Sequence, residues 1–164
     1  MKPDNLLLEL LLQNSRVIIQ TRSISATFGD AKSAFNIQKE CFGTNLQRYK
    51  DFEDRLCYTS NSGGFAANIK DLLAGYVLFE NRSSYLRLTE IAVHPHAQKM
   101  GVGKALVSRV KGKLLCSDVM KYVELNIDEQ NTGGHCFFES QGFVGSRDTS
   151  TSYKFRFLSD WLEY

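Results

Sequence analysis

Residues 88–106 read Leu88-Thr89-Glu90-Ile91-Ala92-Val93-His94-Pro95-His96-Ala97-Gln98-Lys99-Met100-Gly101-Val102-Gly103-Lys104-Ala105-Leu106. The apolar and β-branched run to Val93 has strand character, and Pro95 ends it. Beyond the glycines, Val102, Leu106, Val107, Val110 and Leu114 recur at helical spacing. The stretch therefore predicts a strand, a proline-ended turn, a glycine loop and a helix start. Gly101 and Gly103 remove side chains where the backbone must curl, so successive N–H groups can converge on one anion at the positive end of the helix dipole. Lys99 and Lys104 add charge there, and a phosphate or pyrophosphate is the expected guest. The GxxxxGK[ST] loop of nucleotide triphosphatases is absent, and Ala105-Leu106 replaces the third glycine of a dinucleotide fingerprint.

Upstream, Phe65-Ala66-Ala67-Asn68 and Leu72 to Phe79 are two apolar runs joined through Lys70-Asp71, which predicts an antiparallel hairpin. A turn at Asn81-Arg82 leads into a third strand from Tyr85 to Val93. Ala31, Ala34, Phe35, Ile37, Gln38 and Cys41 keep a helical period that Gly43 closes, with Asp30 expected as N-cap. A second short helix is expected over 45–55, and a strand over 16–22 precedes both. Downstream come a strand over 122–127, a short helix over 131–140 and a closing strand over 153–157 whose aromatics alternate with basic residues. Strands and helices intermix without strict βαβ repetition. The expected class is α/β (α+β): a central mixed, mostly antiparallel twisted sheet flanked by helices.

The chain has 164 residues, 43% hydrophobic and 23% charged, which suits one globular domain with a sizeable core and excludes a disordered or collagen-like chain. A formal charge of +2 falls short of the basic balance of a dedicated nucleic-acid binder, so an anion should be held locally. Cys41, Cys57, Cys116 and Cys136 form no CxxC pair, and His94, His96 and His135 show no ligand spacing, so neither disulfides nor a metal site is expected. The leucine-rich run 6–12 is broken by Glu9 and is far shorter than the ~20 residues that span a bilayer. It lacks the flanks of a signal peptide, and a cytoplasmic location is expected. Residues 1–15 read as a leucine-rich helix with a narrow polar stripe of Asn5, Glu9 and Gln13. Such a helix packs on its own domain, residues 16–164, or makes a homodimer contact.

A second signature lies at Asn131-Thr132-Gly133-Gly134-His135-Cys136-Phe137-Phe138-Glu139-Ser140-Gln141-Gly142-Phe143. With the Gln98 to Gly103 loop, it resembles the paired motifs of the GNAT superfamily of acetyl-CoA-dependent N-acetyltransferases, (R/Q)-x-x-G-x-G/A and N-x-x-A-x-x-x-Y-E-x-x-G-F. The resemblance covers about 16–157, and the layout is similar to the ribosomal-protein alanine N-acetyltransferase branch. It implies that the backbone of Ile91, Ala92 and Val93 holds the pantetheine arm, with an N–H near Val93 polarising the thioester carbonyl. Gln98, Lys99, Met100, Gly101, Val102, Gly103 and Lys104 would wrap the pyrophosphate, and Asn131 would hydrogen-bond the pantetheine.

The chain departs from the family pattern at the reacting groups. Phe138 stands where a tyrosine commonly protonates the thiolate, and Asn126 and Arg87 stand where relatives place catalytic side chains. None of the three is a conventional acid or base at neutral pH. The expected function is acetyl transfer from acetyl-CoA to a primary amine, a small molecule or a peptide amino terminus, by direct attack. Glu90 or an ordered water would take the proton, and unassisted thiolate departure is tolerable because thiols ionise near pH ~8.5. A catalytically silent acyl-CoA-binding module is the alternative, and a toxin acetylating charged tRNA fits the modest charge less well. Tyr58 and Tyr153 could line an acceptor cleft, Asp51, Glu53 and Asp54 could form an acidic rim, and Trp161 would dock the tail.

Overall fold

The computed structural model describes residues 17–24, 29–43, 49–57 and 61–159. Strand β1 (Ile19–Ser23) is followed by helices α1 (Asp30–Phe42) and α2 (Tyr49–Cys57), and then by strands β2 (Ser62–Ile69), β3 (Leu72–Asn81) and β4 (Tyr85–Val93). A short 3-10 turn, Pro95–Ala97, leads to α3 (Val102–Leu115), β5 (Tyr122–Asp128), α4 (Thr132–Ser140), β6 (Val144–Arg147) and β7 (Ser152–Leu158). The strands form one seven-stranded sheet in the order β1-β2-β3-β4-β5-β7-β6. Every pairing is antiparallel except β4 with β5, so the expected mixed, mostly antiparallel sheet is what forms.

Most elements follow the expected pattern, with local differences that have physical reasons. Asp30 is not the N-cap of α1. Gly29 takes that place at φ 74, a left-handed conformation that glycine adopts without steric cost. Asp30 instead occupies the first turn, buried and bonded through both oxygens to the Arg22 guanidinium at 2.6 Å, which ties α1 to β1. Helix α2 is described over Tyr49–Cys57, and the first part of the 45–55 expected for it lies outside the described residues. The expected leucine-rich helix over 1–15, Tyr58 and Trp161 lie outside the described residues. Among the described residues, no helix is long and apolar enough to cross a membrane.

The sheet separates two cores of unequal size. Helix α3 lays Val102, Leu106, Val107, Val110 and Leu114 against Val77, Leu86, Leu88 and Val123, with Phe138, Phe143, Phe155 and Phe157 completing this larger core. On the opposite face, α1 and α2 cover a smaller one made of Ala34, Ile37, Phe52, Tyr76, Leu78 and Ala92.

A bulge in β4 decides which core each of its residues meets. Leu78 pairs with Glu90 and Phe79 with Leu88, which leaves Thr89 as the extra residue. Side chains alternate faces along a strand, so one inserted residue reverses the parity beyond it. Leu86 and Leu88 point into the larger core before the bulge, and after it Ile91 and Val93 do. Glu90 and Ala92 therefore turn toward α1 and α2. Without the bulge, the Glu90 carboxylate would point into hydrocarbon.

Candidate active site

The pairing between β4 and β5 stops early. Tyr85, Leu86 and Arg87 are in register with Tyr122, Val123 and Glu124, and the Tyr85 and Tyr122 rings stack 4.8 Å apart at this closed end. From Leu88 onward β4 pairs only with β3, and from Leu125 onward β5 pairs only with β7. The strands part like a V, and the gap opens into a cleft of about 980 Å³. Its walls are Leu88 to Ile91 and Val93 on one side and Leu125 to Asp128 on the other.

Backbone groups on the open edge of β4 face this gap. The Val93 carbonyl accepts from Cys41 Sγ and Gln98 Nε2, each at 3.2 Å, and not from β3. The N–H and C=O of one strand residue point to the same side and alternate with those of its neighbours, so Ile91 and Val93 present their amides to the gap. Ala92 turns the other way: its side chain is buried in the smaller core, and it does not line the cleft.

The far end of the cleft is the glycine loop. Lys99 has φ 62 and Gly101 φ 91, so the chain reverses through two left-handed residues before entering α3. This curl leaves the first amides of α3 without intrahelical acceptors, and no side chain caps them. Lys99, Gly101, Gly103 and Lys104 line the cleft, and Gln98 joins them at its edge. Val102 is buried in the larger core, and Met100 is half-buried away from the cleft, so these two contribute through the backbone path alone. A Cβ on Gly103 would lie 3.1 Å from the Phe137 ring, so the glycine keeps open a space that a side chain would close.

Asn131 caps α4, its Oδ1 accepting from Gly134 N at 2.9 Å. The cap uses the oxygen, so the amide NH2 is the group left for a guest. Gly133 and Gly134 line the cleft beside it, and a Cβ on Gly134 would lie 2.8 Å from Asn131 Nδ2.

Glu90 lies at the side of the cleft that faces α1 and α2. Its Oε1 accepts from Tyr76 Oη and Gln38 Nε2, and its Oε2 from Gln38 Nε2 at 3.1 Å and Arg55 Nη2 at 2.9 Å. Three donor groups thus hold the carboxylate, with Gln38 Nε2 shared between its two oxygens. Burial, with the Glu90 charge adding to it, pushes the Tyr76 hydroxyl far above its ordinary range, so it serves as a fixed donor. Burial likewise pushes the Cys41 thiol up, which keeps it protonated against Val93.

The other positions of interest sit apart from proton chemistry. Phe138 lines the cleft but is a buried core ring, 5.2 Å from Phe143. Asn126 lines the cleft and donates to Asp148 Oδ2 at 2.9 Å, and Asp148 also holds Lys154. Its carboxyl is held below the usual range by the Lys154 hydrogen bond first and by Asn126 among the lesser causes. Arg87 is exposed at the closed end of the V, in register with Glu80 and Glu124. Tyr153 packs on His135 and accepts from Arg147 Nη2 at 3.2 Å, outside the cleft lining. Asp51 and Asp54 are exposed on α2, and Glu53 bonds Tyr49 of the same helix.

Helix α1 adds two residues to the cleft that lie outside both sequence motifs. Gln38 and Phe42, one turn apart on α1, reach it from the smaller core's side. The signal for Gln38 was a polar residue inside the apolar stripe of a helix, where burial is informative.

An acetyltransferase (GNAT) family model matches residues 31–143, which spans α1 through the end of the Asn131 signature. The chain belongs to the GNAT acetyltransferase family. Solved structures with this GNAT fold include the ribosomal-protein-S18-alanine N-acetyltransferase from Escherichia coli, at 19% identity and TM-score 0.71, covering 85% of this chain and 91% of that one. Arabidopsis thaliana NAA60 in complex with acetyl-CoA superposes at 16% identity and TM-score 0.73, covering 87% and 99%. Ard1 from Thermoplasma volcanium does so at 20% identity and TM-score 0.69, covering 87% and 98%. No sequence among curated proteins matches the chain. The GNAT layout is similar to that of the first of these structures, as the sequence motifs implied.

Proposed function

We propose that the protein transfers an acetyl group from acetyl-CoA to a primary amine by direct attack. The observation that carries this reading is the parting of β4 from β5 into a cleft that ends at the left-handed turn of Lys99 and Gly101. An extended arm with amide groups fits the open edge at Ile91 and Val93. A pyrophosphate fits the uncapped start of α3 beside Lys99 and Lys104. Asn131 offers its NH2 to the arm from the opposite wall. In the reaction the amine nitrogen bonds to the acetyl carbon, the carbon–sulfur bond breaks, and coenzyme A leaves as thiolate to be protonated by solvent. The proton of the attacking amine goes to water, because Tyr76, Gln38 and Arg55 already engage both oxygens of Glu90, and the Arg55 ion pair favours its charged form. Glu90 thus holds the acceptor wall in place. Carbonyl polarisation by the Val93 N–H and proximity supply the acceleration.

Phe138, Asn126 and Arg87 offer no side chain that exchanges a proton near neutral pH, which favours a second reading, a module that binds acyl-CoA without turning it over. Incubation of purified protein with acetyl-CoA and a panel of primary amines, while free thiol is followed, separates the two. Amine-dependent thiol release supports transfer. Tight coenzyme A binding with no release on any amine supports the silent module, and no binding at all removes both readings.

A further inference from the structure

We propose that Gln38 Oε1 is the docking point for the acceptor's amino group, an inference that rests on the acetyl-transfer reading above. Gln38 is 5% exposed, and it lines the cleft from α1. A side-chain amide can face a carboxylate only with its NH2, because the carboxylate accepts and does not donate. Nε2 lies 3.0 Å and 3.1 Å from the two Glu90 oxygens, which fixes the amide plane and turns Oε1 away from them. Among the described residues Oε1 accepts no hydrogen bond. A buried amide held at one end and unused at the other, on the wall of a cleft, is an acceptor awaiting a donor.

Everything around the amide serves to hold it. Arg55 and Tyr76 fix Glu90 from α2 and β3, so the carboxylate cannot swing toward a guest. The Cys41 thiol, three residues along α1, binds the Val93 carbonyl and locks this part of the helix against the open edge of β4. The negative charge behind Nε2 polarises the amide and makes Oε1 a better acceptor. Oε1 takes an N–H from an ammonium or a free amine alike, so Gln38 is a positioning group that directs the nitrogen and removes no proton. Phe42, one helical turn further and 48% exposed, offers an apolar surface to the carbon next to that nitrogen. The acceptor is therefore a primary amine flanked by an apolar group.

The test uses phenylalanine amide, with 3-phenylpropanamide as the same skeleton lacking the amine. In protein saturated with coenzyme A, the side-chain NH2 resonance of Gln38, assigned by its loss in Gln38→Met, should move with phenylalanine amide and not with 3-phenylpropanamide. In turnover with acetyl-CoA, Gln38→Met should lower kcat/KM for the amine by about 10- to 100-fold, the range expected for a lost buried hydrogen bond. Its affinity for coenzyme A should hold, which shows that the cleft has folded. A resonance that ignores the amine, or a variant with wild-type kcat/KM, overturns the role of Gln38. Absence of turnover in the wild type with an amine-specific shift overturns the acetyl-transfer reading and leaves the docking point standing.

Discussion

The two walls of the cleft are built by different means. The wall proposed to hold the cofactor is made of backbone: the open edge of β4, two left-handed residues and the uncapped start of α3. The wall proposed to meet the acceptor is made of side chains drawn from four elements, with Gln38 on α1, Arg55 on α2 and Tyr76 on β3 meeting on Glu90 of β4. A backbone site depends on which residues lack a Cβ, and a few adjacent positions encode it. A side-chain site depends on partners that lie up to 52 residues apart, and it holds only while every partner is present.

The sharpest way to break this contrast is Glu90→Leu. That change strands the buried Tyr76 hydroxyl and Gln38 amide and one arm of the half-buried Arg55, and each unpaired buried group costs about 1–3 kcal/mol. The expected loss of unfolding free energy is about 3 kcal/mol, read as a lower urea midpoint. An unmoved midpoint would mean that the wall does not depend on its carboxylate. Next in size is Gly101→Val. A Cβ there meets only Ile19 Cδ1, at an ordinary 3.7 Å, so the penalty is the left-handed backbone at φ 91 and not a clash. That strain is about 1–2 kcal/mol, and coenzyme A affinity by calorimetry should fall roughly tenfold or more, with the amine's KM unchanged. Equal affinity in variant and wild type would detach the loop from the cofactor. The smallest effect belongs to Asn131→Ala, which removes a helix cap worth about 1 kcal/mol. Thermal unfolding should shift by a few degrees and coenzyme A affinity by several-fold. A thermal shift with unchanged affinity would confine Asn131 to capping.

Legibility in the sequence follows the same division. The strand, loop and helix of residues 85–115 stand where their pattern put them, since periodicity and glycine placement are local properties. The hairpin turn at Lys70-Asp71 was equally local, with Lys70 taking the left-handed conformation at φ 53. The bulge at Thr89 was not legible, because nothing in Leu88-Thr89-Glu90 states which residue will lack a partner across β3. Glu90 reads as a base from sequence because it is a carboxylate beside the motif. Its three donor partners come together only when α1 and α2 fold over the sheet. Gln38 read as one more position in a helical period for the same reason. The exchange of Asp30 for Gly29 at the start of α1 turns on Arg22, a partner on another element that captures the aspartate.

Because β4 and β5 pair only over Tyr85–Arg87 and Tyr122–Glu124, both strands run on with one edge unpaired. Hydrogen-bonding groups left unpaired on a strand are a template for any other extended chain. Here that template lies inside the molecule, recessed within a cleft rather than on its rim. An arm that fills the gap acts as a surrogate strand, and binding then contributes to folding by mass action, by RT ln(1 + [L]/Kd). The recess shields this edge from a second copy of the chain and leaves it open to a slender extended guest.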